Sequence, residues 1–119
     1  MVRREFVPFD CEIIRKELEA LLDDDVAKLA TLMDYYEHCG LGNPTPVQID
    51  DYGDGIYRLR HIKPAYQGRL LYFSVDRIAG FERLIILIAY KKEGKKTPIK
   101  VLETAKRRKL IWENMRNKK

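Results

Sequence analysis

The segment Leu84–Tyr90, with the sequence LIILIAY, decides the fold of this 119-residue chain. Apolar side chains occupy consecutive positions, so both faces of the extended segment are apolar. Such a run predicts the central, most buried strand of a sheet. Two cations, Lys91 and Lys92, follow directly and stand where that strand leaves the sheet.

Further strands are predicted by β-favouring residues that lie between turn-forming residues. In residues 56–61 the alternation puts Arg58 and Arg60 on one face of the strand and the apolar Leu59 on the other. Pro8 indicates that the first strand is short or lies at an edge of the sheet. The predicted strands are Val2–Phe9, Val47–Asp50, Ile56–His61, Arg69–Val75 and Leu84–Tyr90, with turns over 51–55 and 76–82.

Helical spacing of apolar residues predicts a helical hairpin over roughly 11–39 and a last helix over about 98–115. Asp10 is expected to cap the first helix, and the acidic residues 23–25 to form a solvated cap on the second. Thr97 is a suitable N-cap for the last helix.

Together these elements predict one α+β domain over residues 1–119, of a size that holds a single core. The order is an N-terminal strand, a helical hairpin, an antiparallel meander of three or four strands, and a C-terminal helix. Short connections favour antiparallel pairing of the later strands. The helices are expected over one side of the sheet.

The net charge of +5 is distributed unevenly along the chain. Residues 91–119 hold 12 Lys or Arg and 3 Asp or Glu, a net charge of +9, whereas residues 1–90 hold 11 and 15, a net charge of −4. A basic end on a slightly acidic body suggests a polyanionic partner such as nucleic acid, or else a solvated basic helix and tail. We expect a cytoplasmic protein with no membrane contact, because no apolar run approaches the roughly 20 residues that span a bilayer.

Familiar catalytic motifs are missing from the chain. It has one serine, no nucleophile elbow and no phosphate-binding glycine loop. Its two cysteines and two histidines are scattered rather than spaced as zinc ligands. We therefore expect neither a metal nor another cofactor.

Cations on the predicted strands form the remaining candidate site. Arg58 and Arg60 share a strand face, Arg69 opens the next strand, and Lys91 and Lys92 follow the buried strand. If these strands are neighbours, the five cations converge and can stabilise the charge of a phosphodiester during cleavage. In RNA the substrate's own 2′-OH is the nucleophile, and a lysine among other cations loses its proton more readily and can act as the base. The alternative interpretation is an ordinary solvent-exposed strand face.

Aromatic and basic residues around this patch are candidates for RNA binding. Tyrosines can stack on unpaired bases, and basic side chains contact the phosphate backbone. The alternative for each is a structural role in the core or in a solvated loop or helix. The candidates are Tyr57, Tyr90, Lys95, Lys96, Lys106, Arg107 and Arg108.

Four segments resemble the HigB-type, phage-derived branch of the RelE toxins, and they agree with it in order and spacing over roughly residues 50–108. The resemblance implies a RelE-like fold, in which helices flank an antiparallel sheet. The segments are GIYRLR at 55–60, GRLLYF at 68–73, LIILIAYKK at 84–92, and KTP at 96–98 leading to Ala105.

In function, the resemblance implies the toxin of a type II toxin–antitoxin system. Such a toxin is a ribosome-dependent endoribonuclease, or mRNA interferase, that leaves a 2′,3′-cyclic phosphate. The implied partners are the ribosome with its mRNA and a cognate antitoxin, often a helix-turn-helix protein. Arg58, Arg60 and Arg69 would stabilise the scissile phosphate, and Lys91 or Lys92 would transfer a proton or bind phosphate.

Departures from the family pattern leave other functions open. Relatives often carry an acidic residue in place of Arg58 and Phe in place of Tyr90. Several place a His or Tyr near the C-terminus, whereas residues 112–119 contain neither. The alternatives are a non-enzymatic inhibitor of DNA gyrase, as in the ParE branch, and an inactive phage protein that binds nucleic acid.

Overall fold

Five strands and three helices follow one another within the residues that the structure describes, which are 3–39, 46–63, 65–78, 80–94 and 96–117. The structure is a computed structural model of the single chain. None of the described helices is long and apolar enough to cross a bilayer. In chain order the elements are β1 (Arg3–Pro8), α1 (Cys11–Glu19), α2 (Asp23–Cys39), β2 (Val47–Asp51), β3 (Ile56–His61), β4 (Gly68–Ile78), β5 (Phe81–Lys91) and α3 (Ile99–Asn117).

The strands form one sheet in the order β1-β5-β4-β3-β2, which confirms the predicted α+β fold. Strands β2 to β5 are the predicted antiparallel meander, and β1 adds a fifth strand that pairs with β5 in parallel. Strand β1 lies at an edge, as Pro8 predicts, because proline has no N–H to donate to a further strand. The apolar segment 84–90 lies in β5, which is an internal strand. The middle strand of the five is β4, so the prediction that 84–90 is the central strand is off by one position.

Apolar side chains fill a core on each face of the sheet. Ile14 of α1 and Leu29 of α2 pack on one face with Leu84, whereas Ala105 of α3 packs on the other face with Ile85. The expectation that the helices lie over one side of the sheet is therefore wrong. A strand that is apolar on both faces has to be covered twice, and α3 is the second cover.

A β-bulge in β5 explains part of its consecutive apolar run. Tyr72 pairs with Ile86 and Leu71 pairs with Ile88, so Leu87 is an extra residue in β5. Leu87 and Ile88 therefore both belong to the core beneath α3. Strand β1 ends opposite Ile86, so from Leu87 onward no described strand lies beside that edge of β5.

Acidic residues begin the first two helices in different ways. Asp10 caps α1 as predicted, accepting from the N–H groups two and three residues later at 3.0 and 3.1 Å. The acidic residues 23–25 form the first turn of α2, and the prediction that they are a solvated cap is wrong for Asp25, which is buried. Asp25 accepts a hydrogen bond from the Gln67 N–H at 3.0 Å and so fixes the loop that leads into β4.

Two predicted boundaries also differ from the structure. Helix α3 begins at Ile99, and the Thr97 hydroxyl bonds to side chains of the sheet instead of capping the helix. The turn expected over 76–82 is shorter, because β4 continues to Ile78 and β5 begins at Phe81.

Candidate functional site

A cavity of about 170 Å³ opens at the end of the sheet where β3 ends, β4 begins and β5 ends. These ends meet because the three strands are antiparallel neighbours. Pockets for drug-sized ligands occupy roughly 300 to 1,000 Å³, so this cavity suits a small group such as one phosphate of a longer chain. It is lined by Arg58, Arg60, Arg69, Tyr90, Lys92, Glu93, Gly94, Lys96 and Thr97.

The strand register explains why these cations converge. Leu59 pairs with Leu70, so the next residues, Arg60 and Arg69, are neighbours, and Arg69 itself pairs with Tyr90. Because side chains alternate along a strand, all three lie on the face opposite to Leu59 and Leu70. Of the residues predicted for the site, the cavity brings together Arg58, Arg60, Arg69, Tyr90, Lys92 and Lys96.

The remaining predicted residues lie elsewhere, and their part in RNA binding stays a prediction. Lys91 does not line the cavity, because its neighbours in sequence take the cavity side and adjacent side chains of a strand point apart. Tyr57 packs against Tyr72 on the opposite face of the sheet, with ring centroids 5.8 Å apart. Lys95 lies outside the described residues. The last three, Lys106, Arg107 and Arg108, lie on α3.

Arg69 is the most buried cation of the cavity, with 2% of its surface exposed. Its Nη1 donates to the carbonyl oxygens of Tyr66 at 2.6 Å and Gly68 at 3.0 Å. Burial and the positive charges of Arg58 and Arg60 lower the pKa of Arg69 below the ordinary arginine value, although arginine stays charged at neutral pH. Arg69 is a buried cation beside two other cations. A bound anion would therefore stabilise its charge by offsetting their mutual repulsion.

Asp50 holds two of the arginines, and sequence reasoning missed it. Its Oδ2 accepts from Arg58 Nε at 3.0 Å, Arg58 Nη2 at 2.8 Å and Arg60 Nε at 3.2 Å. Burial opposes ionisation of this carboxyl, but the hydrogen bond and charge of Arg58, aided by Arg60, outweigh it and hold the pKa of Asp50 below its ordinary value. Asp50 faces Arg58 across the β2–β3 hairpin, so pairing the two strands about the turn at 51–55 would have found it.

Thr97 is a second residue that sequence reasoning assigned elsewhere. Its hydroxyl accepts from Arg58 Nη1 at 3.1 Å, donates to the Tyr52 hydroxyl at 2.7 Å, and lies 3.1 Å from the Tyr90 hydroxyl. The Tyr52 ring also lies against the Arg58 guanidinium, 5.2 Å from centroid to Cζ. A single buried hydroxyl therefore connects an arginine of β3 to two tyrosines.

Tyr90 keeps its proton at neutral pH. Burial raises the pKa of its phenol above the ordinary value, although the Thr97 hydrogen bond and the charge of Arg58 oppose that rise. A protonated phenol can donate a hydrogen bond to a phosphate oxygen but cannot act as a base. The cavity thus offers guanidinium, ammonium and phenol donors, which together suit an oxyanion.

The basic run of α3 contributes contacts inside the protein. Arg108 Nη1 donates to Glu17 Oε2 at 2.7 Å and to the Leu87 carbonyl oxygen at 2.9 Å. Glu17 Oε1 in turn accepts from the Ala89 N–H at 3.0 Å. The Glu17–Arg108 pair therefore satisfies backbone groups of β5 at the edge where β1 has ended.

Two further cations of this run hold the β2–β3 turn. Lys109 Nζ donates to the Asp54 carbonyl oxygen at 2.8 Å, and Lys106 Nζ lies 3.4 Å from the Asp54 carboxylate. Asp54 has a φ of 55°, a left-handed conformation that Asp tolerates better than most residues. Arg107 is exposed and makes no hydrogen bond or ion pair with any described residue.

A family model described as phage derived protein Gp49-like (DUF891) matches residues 16–110. The chain belongs to the Gp49-like family. That range extends from α1 into α3 and includes every residue that lines the cavity of this Gp49-like protein. The family is toxin-like and is related to the RelE and HigB toxins of type II systems. No curated protein matches the chain.

Proposed function

We propose that this Gp49-like protein is the toxin of a type II toxin–antitoxin system and acts as a ribosome-dependent endoribonuclease on mRNA. The observation that carries the proposal is the convergence of three arginines and two lysines on one cavity of about 170 Å³. Cations placed around a phosphate stabilise the extra negative charge of its transition state. Membership of a toxin-like family supports the toxin part of the proposal.

In the proposed reaction the 2′-oxygen of the RNA attacks the adjacent phosphorus, the bond to the 5′-oxygen breaks, and a 2′,3′-cyclic phosphate remains. Arg58, Arg60 and Arg69 all line the cavity, and their positive charges stabilise the nonbridging oxygens. Lys92, reacting as its neutral amine, accepts the 2′-hydroxyl proton, and Tyr90, which holds its proton at neutral pH, donates one to the leaving 5′-oxygen.

The proposed partners follow from the resemblance to the HigB-type branch of the RelE toxins. The ribosome presents the mRNA, and a cognate antitoxin, a helix-turn-helix protein in the HigB-type branch, neutralises the toxin. We expect growth inhibition when the toxin is expressed alone and relief when the adjacent gene is expressed with it. Inhibition that no neighbouring gene relieves would argue against this partner.

The function is tested by adding the purified protein to a cell-free translation reaction and mapping mRNA 5′ ends with and without ribosomes. We expect cuts within codons that require ribosomes. Lys92→Met is expected to abolish the cuts but to retain RNA binding, because the other cations of the cavity remain. Intact mRNA in a fully active reaction would contradict the proposal, and an assay of DNA supercoiling by gyrase would then test the non-enzymatic alternative.

A further inference from the structure

The three arginines of the cavity have different amounts of hydrogen bonding left to offer. Each guanidinium nitrogen of Arg58 already has a protein acceptor, since Nε and Nη2 donate to Asp50 and Nη1 donates to Thr97. Its side chain is 14% exposed and lies against the Tyr52 ring. Every nitrogen of this guanidinium therefore has a protein partner, in a geometry set by two strands and the segment before α3.

Arg60 and Arg69 differ from Arg58 in this respect. Arg60 donates from Nε to Asp50 at 3.2 Å and from Nη1 to the His61 carbonyl oxygen at 3.3 Å, both longer than the bonds of Arg58 to Asp50. Arg69 donates from Nη1 alone. Within the described part of the chain, Arg60 Nη2 and both the Nε and Nη2 of Arg69 have no protein acceptor. These three nitrogens keep all their N–H groups for a ligand, whereas Arg58 keeps one N–H on each of Nη1 and Nη2.

We propose that Asp50 and Thr97 are positioning residues, which fix Arg58 as a rigid support of the cavity and leave Arg60 and Arg69 to contact the phosphate. The inference rests on the proposed function, because the phosphate in question is that of the RNA. The sequence-based prediction gave the three arginines the same phosphate-binding role. Under the inference, Arg60 and Arg69 contact the phosphate and Arg58 supports them. Thr97 extends the support to Tyr90, since its hydroxyl lies between Arg58 and that phenol.

Asp50 and Thr97 reach Arg58 from different directions. Asp50 lies directly opposite Arg58 on β2 and offsets part of the positive charge of the arginines. Thr97 comes from the segment between β5 and α3 and is itself buried. Together they bind all three nitrogens of the guanidinium and so restrict its rotation. A displacement of about 1 Å in a catalytic group can reduce a rate by about 100-fold, so such fixing has a measurable consequence.

The first test compares Thr97→Val, which removes the hydroxyl at similar volume, with Thr97→Ser, which keeps it. We expect Thr97→Val to lower kcat for mRNA cleavage by about 10- to 100-fold with little change in KM, and Thr97→Ser to stay within about threefold of the wild type. Thr104→Val, on the exposed side of α3, is the matched control. Equal kcat for Thr97→Val and wild type, or equal losses for Val and Ser, would overturn the role of the hydroxyl.

The second test is Asp50→Asn, for which two explanations predict opposite results. If Asp50 positions Arg58, kcat falls even though the cavity becomes more positive. If Asp50 only reduces the positive charge, RNA binds more tightly and kcat does not fall, which would overturn the proposal. Asp24→Asn, an exposed residue of α2, makes the same charge change away from the cavity. Melting temperatures show that each variant assayed is folded.

Inorganic phosphate separates a failure of this inference from a failure of the proposed function. If the wild-type protein cleaves no RNA, phosphate binding to the folded protein is measured instead by calorimetry. We then expect Arg69→Gln to weaken phosphate binding most, because it removes a contacting group, Thr97→Val to weaken it less, because it only loosens the support, and Thr97→Ser to preserve it. Phosphate binding that is indifferent to all three changes would overturn the inference independently of any nuclease activity.

Discussion

Two cationic regions of this Gp49-like protein differ both in their arrangement along the sequence and in what their positive charges contact. The run 106–109 in α3 is the densest cluster of positive charge along the chain, yet three of its four cations bond to groups of the protein itself. The cavity cations are separated by up to 38 positions, from Arg58 to Lys96, but they face one space. We therefore expect the convergence of charges whose donors remain unused to indicate a binding surface better than charge density along the chain does.

Among variants of the two regions, the largest loss of RNA cleavage is expected at Arg69. Arg69→Gln should lower kcat/KM for RNA cleavage by about 100- to 1,000-fold, because it removes charged donors at the phosphate. Arg69→Lys keeps the charge but loses the planar fork, so its loss should be intermediate. Arg107→Gln removes one positive charge from α3 and is the control. Equal activities of the Arg69 and Arg107 variants would contradict the distinction between the two regions.

A smaller effect, on stability rather than activity, is expected at Arg108. Arg108→Met should reduce the free energy of unfolding by about 1 to 3 kcal/mol, because it leaves Glu17 and the Leu87 carbonyl oxygen without this charged partner. Urea unfolding measures the change, and RNA cleavage per folded molecule should stay near that of the wild type. A normal stability with impaired RNA binding would mean that Arg108 serves RNA instead.

Lowering the pH should reduce the contribution of Asp50 to stability. Its folded-state pKa lies below the ordinary value of 3.8, so its ion pairs stabilise the protein above that pH and lose this effect as the pH falls through the folded value. The stability difference between wild type and Asp50→Asn should therefore shrink as the pH is lowered from 7 towards 3. A difference that is constant over this range would show that the charge of Asp50 contributes nothing.

The smallest effects are expected at the exposed positions of α3. Lys106→Gln should change the free energy of unfolding by less than about 0.5 kcal/mol, because its pair with Asp54 is largely exposed to solvent. If Arg107 contacts an RNA phosphate, Arg107→Gln should lower the slope of log affinity against log salt concentration by about 1 and leave kcat unchanged. An unchanged slope would remove Arg107 from the RNA-binding surface.

The sequence predicted the strands and helices well because their signals are local. The run at 84–90, the cap at Asp10 and the proline of the edge strand each act on the backbone near them. The position of α3 on the second face of the sheet was not predicted, because periodicity does not say which face of a sheet a helix covers. Such placement depends on contacts between distant elements, which no local pattern records.

The candidate site was predicted where strand alternation sufficed and missed where register was needed. Alternation put Arg58 and Arg60 on one face, and they line the cavity. Asp50 required the register of the β2–β3 hairpin, and Thr97 required the path of the chain after β5. Lys91 was grouped with Lys92 because both follow the buried strand and both match the lysine pair of the family pattern, although adjacent strand residues point apart.

The most direct test of the central claim is a titration of the wild-type protein with inorganic phosphate, followed through the arginine Nε–H signals by NMR. The account predicts that the signals of Arg69 and Arg60 move first and saturate, while those of Arg107 and Arg108 stay in place. Movement of Arg107 before Arg69, with the cavity signals unchanged, would contradict it and return the phosphate-binding role to α3.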